Sequence, residues 1–301
     1  MVNELVCKFV YPGIGCGLYE MLVLGIMYLL TSFYCIYFSI HLIFNKFRKT
    51  KNISSIQLSF WISMSLWMIY NGIVTIVPFD YNESTIRFWH GGVCDVLHLI
   101  PVAMFILLIC ELLFTYINPE NRTKEFFRLV FVVFTVAFII VGIALSICDD
   151  ESDDPRNNLT FWHGCTEFIF TIFIVFPALK LINAISHPVV QPEDVSCIRY
   201  TTIGVIALGS IFFLKCIYNV TLYFRVNPIG KWFERESRRV GVSYTAKLRV
   251  YLFSYNFIMY YLTSIMIIFG TKILYKHELK FDDDPFYSKV QNEYQPVFEN
   301  Q

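Results

Sequence analysis

Seven long runs of apolar residues, separated by short polar segments, divide the chain. A helix needs about 20 apolar residues to cross ~30 Å of hydrocarbon at 1.5 Å per residue. The runs are continuous rather than alternating, which favours helices over the strands of a membrane barrel. The pattern therefore predicts an all-α polytopic membrane protein, a bundle of seven transmembrane helices within residues 1–275. The predicted helices are 18–44, 56–79, 93–117, 126–147, 162–185, 200–224 and 250–275, and a polar tail follows at 276–301.

The composition strengthens this prediction. Of the 301 residues, 56% are hydrophobic and 16% are charged, whereas soluble domains carry about 25% charged residues. So few polar groups cannot cover a water-soluble surface, so a lipid bilayer is the predicted environment. The formal net charge is zero, which gives no electrostatic reason to expect a nucleic-acid partner. No cofactor is expected.

The distribution of Lys and Arg predicts the orientation. With the N-terminus outside, the inner loops, the tail and the adjoining inner ends of the helices hold 13 of these residues, and the outer segments hold 10. The sixth loop, 225–249, supplies seven of those 10. The first loop is basic and the fourth loop, 148–160, is acidic. Because cytoplasmic loops are enriched in Lys and Arg, we expect the N-terminus outside and the C-terminus in the cytosol.

Ionisable residues within the predicted spans are the candidates for function, because charge inside a membrane is costly. Asp95, His98 and Glu167 lie within two turns of the predicted outer surface, and Lys215 lies roughly 14 Å from the outer end of its helix. We expect these four residues to form a polar pocket in the outer half. A buried pair of Lys215 with Asp95 or Glu167 would be either structural or part of a ligand site, and the sequence favours neither role. Glu111, near the inner end of the third helix, is a candidate conformational lock or an interhelical hydrogen-bonding group.

Cysteines and glycosylation sequons give further expectations for the outer face. Cys94 is a candidate for a disulfide with Cys148 or Cys165, since disulfides form in oxidising compartments. The sequons at Asn82 and Asn158 would face outside and be open to glycosylation. The spacing of the histidines and cysteines gives no reason to expect a metal site.

No nucleophile-elbow, phosphate-loop, dinucleotide-binding or metalloprotease pattern is present, so we expect no enzymatic activity. The chain also lacks the acid-Arg pair that rhodopsin-type receptors carry at the end of the third helix. In that helix, CDVLHLIPVAMFILLICELLFTYI, an acid near the start, a proline and a late glutamate occur together, and the sixth helix contains Phe213-Leu214-Lys215-Cys216. With the short fourth loop, these features resemble the seven-helix family of tobamovirus-multiplication proteins, animal orphan-receptor-like proteins and adipocyte-associated transmembrane proteins.

This resemblance spans the seven helices and implies a receptor-like or vesicle and endolysosomal membrane protein without enzymatic activity. The basic sixth loop departs from the short loop of that family. The high Phe and Tyr content also resembles nematode serpentine chemoreceptors, which are the second choice.

Two functions follow from these observations. The first is a receptor-like protein of the plasma membrane or an endomembrane, possessing a small-molecule site in its outer half. Its basic inner loops would meet a cytosolic G protein or anionic lipid. The alternative is a transporter or a vesicle scaffold. Pro101 and Pro177 kink the third and fifth helices, which keeps this alternative open, although no inverted repeat and no pair of Gly/Pro-broken helices is visible.

Overall fold

The computed structural model describes residues 18–47, 55–76, 93–117, 121–148, 158–185, 192–224, 226, 228, 250 and 253–283. Within these ranges the fold is a bundle of helices. The helices are α1 (Leu18–Phe47), α2 (Ser55–Ile76), α3 (Cys94–Ile117), α4 (Asn121–Cys148), α5 (Asn158–Ile185), α6 (Pro192–Tyr223) and α7 (Thr263–Asp283). A π-helical turn, Phe257–Leu262, leads directly into α7.

Six helical stretches in the described residues are long and apolar enough to cross a membrane. They are Leu22–Phe44, Ser55–Ile76, Arg122–Ser146, Thr160–Lys180, Thr202–Tyr223 and Phe253–Ile273. Many large apolar side chains on their outward faces are exposed, as expected of surfaces that contact lipid rather than water. The chain is therefore an integral, multi-pass helical membrane protein. This confirms the prediction of a membrane-spanning helical bundle, for which the described residues supply six candidate spans.

The third helix differs from the other six. Its apolar stretch, Val96–Glu111, is shorter, and every residue described from Val102 to Cys110 is buried except Met104. The helix occupies the centre of the bundle, where other helices rather than lipid cover it. A helix that is apolar on all sides and enclosed by protein is a core helix by the usual criterion.

Contacts of α3 define two halves of the bundle. His98, near its start, lies against Phe212 of α6 and Tyr260 of the π-helical turn, and Phe105, farther along, lies against Gly270 of α7. Hence α3 runs parallel to α7. We call the half that contains His98 the upper half and the half that contains Glu111, at the other end of α3, the lower half.

Several helices extend beyond their predicted ends. The structure starts α4 at Asn121 and α6 at Pro192, and continues α7 to Asp283, whereas the prediction had 126, 200 and 275. Hydropathy marks only the part of a helix that fits in hydrocarbon, while the backbone hydrogen bonds continue into the polar flanks. Pro192 suits a first helical position, because its missing N–H has no intrahelical acceptor there.

Glycines bring neighbouring helices together in the upper half. A methyl group at Gly25 or Gly72 would lie 3.2 Å from the other residue's backbone oxygen, so α1 and α2 approach backbone to backbone. At the α4–α5 contact, Gly142 leaves space for the ring of Trp162, which a methyl group would approach to 2.6 Å. Small residues of this kind allow membrane helices to pack by van der Waals contact.

Hydroxyl groups stabilise the π-helical turn. The Thr263 hydroxyl lies 2.9 Å from the Met259 carbonyl and 2.8 Å from the Tyr260 carbonyl, and the Ser264 hydroxyl donates to the Tyr260 carbonyl at 2.7 Å. A π-turn widens the helix and disturbs its regular hydrogen bonds, so nearby hydroxyls serve as additional donors. The turn places Tyr260 toward the interior of the upper half.

Candidate functional site

The centre of the site is a buried ion pair between α5 and α6. Lys215 Nζ lies 3.2 Å from Glu167 Oε1, and the two side chains are only 4% and 9% exposed. Asn219, one turn after Lys215, donates through Nδ2 to Glu167 Oε2 at 2.8 Å. Both carboxylate oxygens therefore have a partner on α6, which is the condition under which a charge can stay inside a low-dielectric interior.

Aromatic rings surround the ammonium group. Lys215 Nζ lies 4.1 Å from the ring centroid of Tyr260 and 5.9 Å from that of Phe212. A cation near an aromatic face is attracted by the ring quadrupole, most strongly when water is excluded. Because Tyr260 belongs to the π-helical turn, this contact connects the ion pair on α5 and α6 to the beginning of α7.

His98 extends the cluster toward α2. Its ring stacks on Trp67 with centroids 4.4 Å apart, and lies 5.8 Å from Tyr260 and 6.4 Å from Phe212. Tyr260 and Phe212 also flank Lys215, so two rings are shared between the histidine and the lysine. We call Trp67, His98, Glu167, Phe212, Lys215, Asn219 and Tyr260 the upper cluster.

Hydrogen bonds between α2 and α3 hold Trp67 in this position. Its indole N–H donates to the Cys94 carbonyl at 3.1 Å, and the Cys94 thiol lies 3.1 Å from Asn71 Oδ1. The Cys94 side chain thus points into the bundle. The predicted disulfide between Cys94 and Cys165 is wrong, because neither residue is disulfide-bonded. The side chain of Cys148 lies outside the described residues.

The structure brings together three of the four residues predicted for the pocket: His98, Glu167 and Lys215. Asp95 lies on α3, and its side chain is outside the described residues, so Glu167 is the partner that the structure shows for Lys215. Asn219 was missed, although it lies four residues after Lys215 and therefore on the same helix face. Trp67 and Tyr260 were missed because no local spacing marks them among the many aromatic residues.

Glu111 forms a second ion pair, in the lower half. Its carboxylate accepts two hydrogen bonds from Arg128 of α4, in the fork-to-fork geometry that arginine favours. The two side chains are part-exposed, at 31% and 45%. This is the interhelical contact that the sequence allowed, and a role as a conformational lock stays a prediction.

The remaining predictions concern the glycosylation sequons and metal binding. Asn158 is exposed at the first residue of α5, and Asn82 lies outside the described residues. In the ranges that the structure describes, no three His, Cys, Asp or Glu side chains are grouped so as to hold a metal ion. The side chains of the upper cluster offer charge pairing, hydrogen bonding and aromatic stacking.

A buried Lys–Glu pair can respond to two kinds of event. A ligand carrying an ammonium or a carboxylate can replace one member of the pair, and transfer of a proton can neutralise both members. Either event removes the ionic attraction between α5 and α6. It also changes the contact between Lys215 and Tyr260 of the π-helical turn. Intramembrane ionisable groups in such an arrangement are commonly functional.

Comparisons of the chain with protein families, with curated proteins and with solved structures return no match. The family resemblance noted in the sequence accordingly stays a prediction.

Proposed function

We propose that this chain is a receptor-like seven-helix membrane protein that senses a small ligand at the upper cluster. The observation that carries the proposal is the Lys215–Glu167 pair, buried between α5 and α6 and in contact with Tyr260. Three spanning helices meet at this pair, so a ligand that displaces one charge would shift their relative positions. Such a ligand raises the population of the shifted state only if it binds that state more tightly than the original state.

The arrangement favours a ligand of a particular chemistry. Lys215 and Glu167 neutralise each other, and aromatic rings cover the ammonium side. A small amphiphilic molecule with one charged group and an apolar body would replace one charge and pack on the rings. A doubly charged or strongly hydrated molecule would lose more hydration than the aromatic surroundings return.

In the topology that we propose, α3 is a seventh membrane span and the N-terminus lies outside. The contacts of α3 with α2, α6 and α7 run along its length through the bundle. The upper cluster then opens toward the outer face and the basic first loop toward the cytosol. A G protein or another cytosolic partner would bind at the lower half. The proposal assigns no catalytic activity to the chain.

Basal coupling to G proteins tests the proposal without knowledge of the ligand. The full chain is expressed in cells with a panel of G-protein dissociation reporters, and Lys215→Met is compared with the wild type at equal surface density. Loss of the ammonium removes the ionic attraction between α5 and α6, so we expect basal coupling to change at least severalfold. The reversed pair, Lys215→Glu with Glu167→Lys, serves as the matched control. It keeps an ion pair between α5 and α6 and should return coupling toward the wild-type level, but not fully, because a carboxylate then lies beside the Tyr260 ring.

A purely structural pair would behave differently. Lys215→Met would then lower the amount of folded protein, and the fraction that reaches the surface would couple as the wild type does. Folded variants whose basal coupling equals that of the wild type would contradict the receptor proposal.

One observation favours a second candidate, a proton-coupled carrier. Pro101 and Pro177 lie inside α3 and α5, the helices that carry His98 and Glu167, and buried acid–base groups within membrane helices are typical of proton pathways. Proteoliposomes containing a pH-sensitive dye would show proton flux that depends on Glu167 if the carrier function is correct. Absence of Glu167-dependent flux with an intact coupling response would favour the receptor.

A further inference from the structure

The π-helical turn, Phe257–Leu262, lies inside a continuous membrane-spanning helix. Regular α-helix comes before it at residues 253–256 and after it from Thr263, and the whole stretch Phe253–Ile273 is one candidate span. Each π-type hydrogen bond encloses one residue more than an α-type bond, so the turn holds one residue that a regular helix would not accommodate. Such turns are rare, and they are frequently found at functional sites.

Two adjacent tyrosines of the turn contact opposite sides of the bundle. Tyr260 lies against Lys215 of α6, whose ammonium is 4.1 Å from the ring centroid. The Tyr261 hydroxyl lies 3.0 Å from the Thr31 hydroxyl of α1, and its ring packs edge-on against Tyr28 of the same helix, with centroids 5.3 Å apart. Two consecutive residues of one backbone therefore join the Lys215–Glu167 pair to α1.

Packing fixes the helix after the turn, so a change of register moves the residues before it. Gly270 lies against the Phe105 ring of α3, and Thr263 is completely buried. If the turn becomes α-helical, the residues ahead of it rotate by about 100° around the helix axis, the angle of one residue. Tyr255, whose ring lies 5.2 Å from that of Tyr218 on α6, would then lose this contact.

We propose that the π-helical turn is a switch of helix register that couples the Lys215–Glu167 pair to α1. While the ammonium remains on the Tyr260 ring and Tyr261 bonds to Thr31, the two tyrosines hold the turn in its π form. When one contact is lost, the turn relaxes to an α-helix, and the other contact weakens because the tyrosines share one backbone. Such a coupling acts in both directions. It belongs to the folded chain, whether that chain is a receptor or a carrier.

Fluorine NMR of the full chain in nanodiscs tests this proposal. Trifluoromethyl-phenylalanine replaces Leu262, an exposed residue of the turn, and its resonance reports the local form of the backbone. Deletion of Ile258, a second exposed residue of the turn, removes the extra residue and supplies the reference resonance of the α form.

A deletion elsewhere in the helix is the matched control. Phe269 is exposed in the α-helical part, where loss of one residue puts the two ends of the helix out of register. Size-exclusion chromatography of the solubilised protein compares the yields. We expect folded protein after deletion of Ile258 and almost none after deletion of Phe269.

Substitutions on the two sides of the turn should give the same response. Lys215→Met should shift the ratio of the α to the π resonance about tenfold or more, because a desolvated ammonium on an aromatic ring is strongly held. Thr31→Val, on α1, should shift it about fivefold, the value of one hydrogen bond. Tyr260→Leu keeps the ion pair and should respond as Lys215→Met does, so a low yield of the latter does not prevent the test. Arg128→Met, which removes the cation of the lower pair, should leave the ratio unchanged.

Three results would overturn the proposal. A wild-type ratio in both Tyr260→Leu and Thr31→Val would show that these contacts do not hold the turn. A shift in Tyr260→Leu alone would show that the turn is not coupled to α1. Equally low yields from the two deletions would show that the turn holds no residue that the helix can lose. Because no G protein enters these measurements, the register switch and the receptor function can fail independently.

Discussion

The Lys215–Glu167 and Glu111–Arg128 ion pairs use the same chemistry in different surroundings. Lys215 and Glu167 are almost completely buried in the upper half, whereas Glu111 and Arg128 are part-exposed in the lower half. The lower pair has the better hydrogen-bonding geometry, since Arg128 donates two bonds to the same carboxylate. Geometry alone would therefore rank the lower pair as the stronger of the two.

Burial reverses that ranking for the loss of one partner. Glu111 and Arg128 lie near the lower ends of α3 and α4, where long side chains reach interfacial water. An ion that loses its partner there is hydrated again, so pairs of this kind contribute about 0–1 kcal/mol. A buried ion that loses its partner remains without water, which costs about 3–5 kcal/mol. The upper pair is therefore the more sensitive of the two. Loss of one partner there destabilises the structure more than the same loss at Glu111.

The largest effect is expected from Lys215→Met. The substitution keeps a similar apolar length but leaves the Glu167 carboxylate in the interior without the ammonium, while Asn219 still donates a hydrogen bond to it. We expect the free energy of unfolding to fall by about 3–5 kcal/mol. Unfolding of the detergent-solubilised protein, followed by circular dichroism as the denaturant rises, measures the change.

Arg128→Met is the matched control, because it removes the cation of the other pair. A loss as large as that of Lys215→Met would show that exposure does not distinguish the two pairs, and the comparison would fail.

Tyr260→Leu should have the next largest effect. It removes the ring 4.1 Å from the ammonium, and a desolvated cation–π contact contributes about 2 kcal/mol. Tyr260→Phe keeps the ring and should retain most of that stability in the same denaturation measurement. Equal losses for both substitutions would assign the effect to the hydroxyl instead of the ring.

The sequence was sufficient to predict the helices of the bundle and three of the seven residues of the upper cluster, His98, Glu167 and Lys215. Continuous apolar runs mark the helices, and charges within them stand out because hydrocarbon tolerates so few. It was not sufficient to choose between Asp95 and Glu167 as the partner of Lys215, because helix length fixes the depth of a residue but not its direction. The apolar run of α3 shows why: a helix that is apolar all round has no polar face to indicate its orientation.

The error at Cys94 has the same origin. Depth placed the thiol near the outer surface, where a disulfide is permitted, but the structure turns the side chain inward to Asn71. Tyr260 could not be predicted either, because its position depends on the π-helical turn, for which the residues Phe257–Leu262 carry no recognised sequence signal.

A smaller effect is expected from salt on the lower pair. Raising the ionic strength shortens the screening length from about 10 Å at 0.1 M to about 3 Å at 1 M, which weakens the exposed pair more than the buried one. Arg128→Gln should therefore cost about 1 kcal/mol or less at low salt and almost nothing at high salt. Denaturation of the wild type and the variant at two salt concentrations measures this; a difference that does not depend on salt would mean that the pair is shielded from water.

The smallest change is expected when both charges of the upper pair are removed together. In Lys215→Met with Glu167→Gln, no unpaired charge stays in the interior, and the Gln amide oxygen still accepts the hydrogen bond from Asn219. Replacement of both members of a buried pair by neutral groups is often close to neutral for stability, so the double variant should unfold within about 1 kcal/mol of the wild type. Recovery of stability without recovery of basal coupling would separate the two roles of the pair, because folding needs only the absence of an isolated charge, whereas a switch needs the attraction itself. A double variant as unstable as Lys215→Met would instead show that the lysine stabilises the bundle through its contacts with Tyr260 and Phe212, and the ion pair would lose its place at the centre of the proposal.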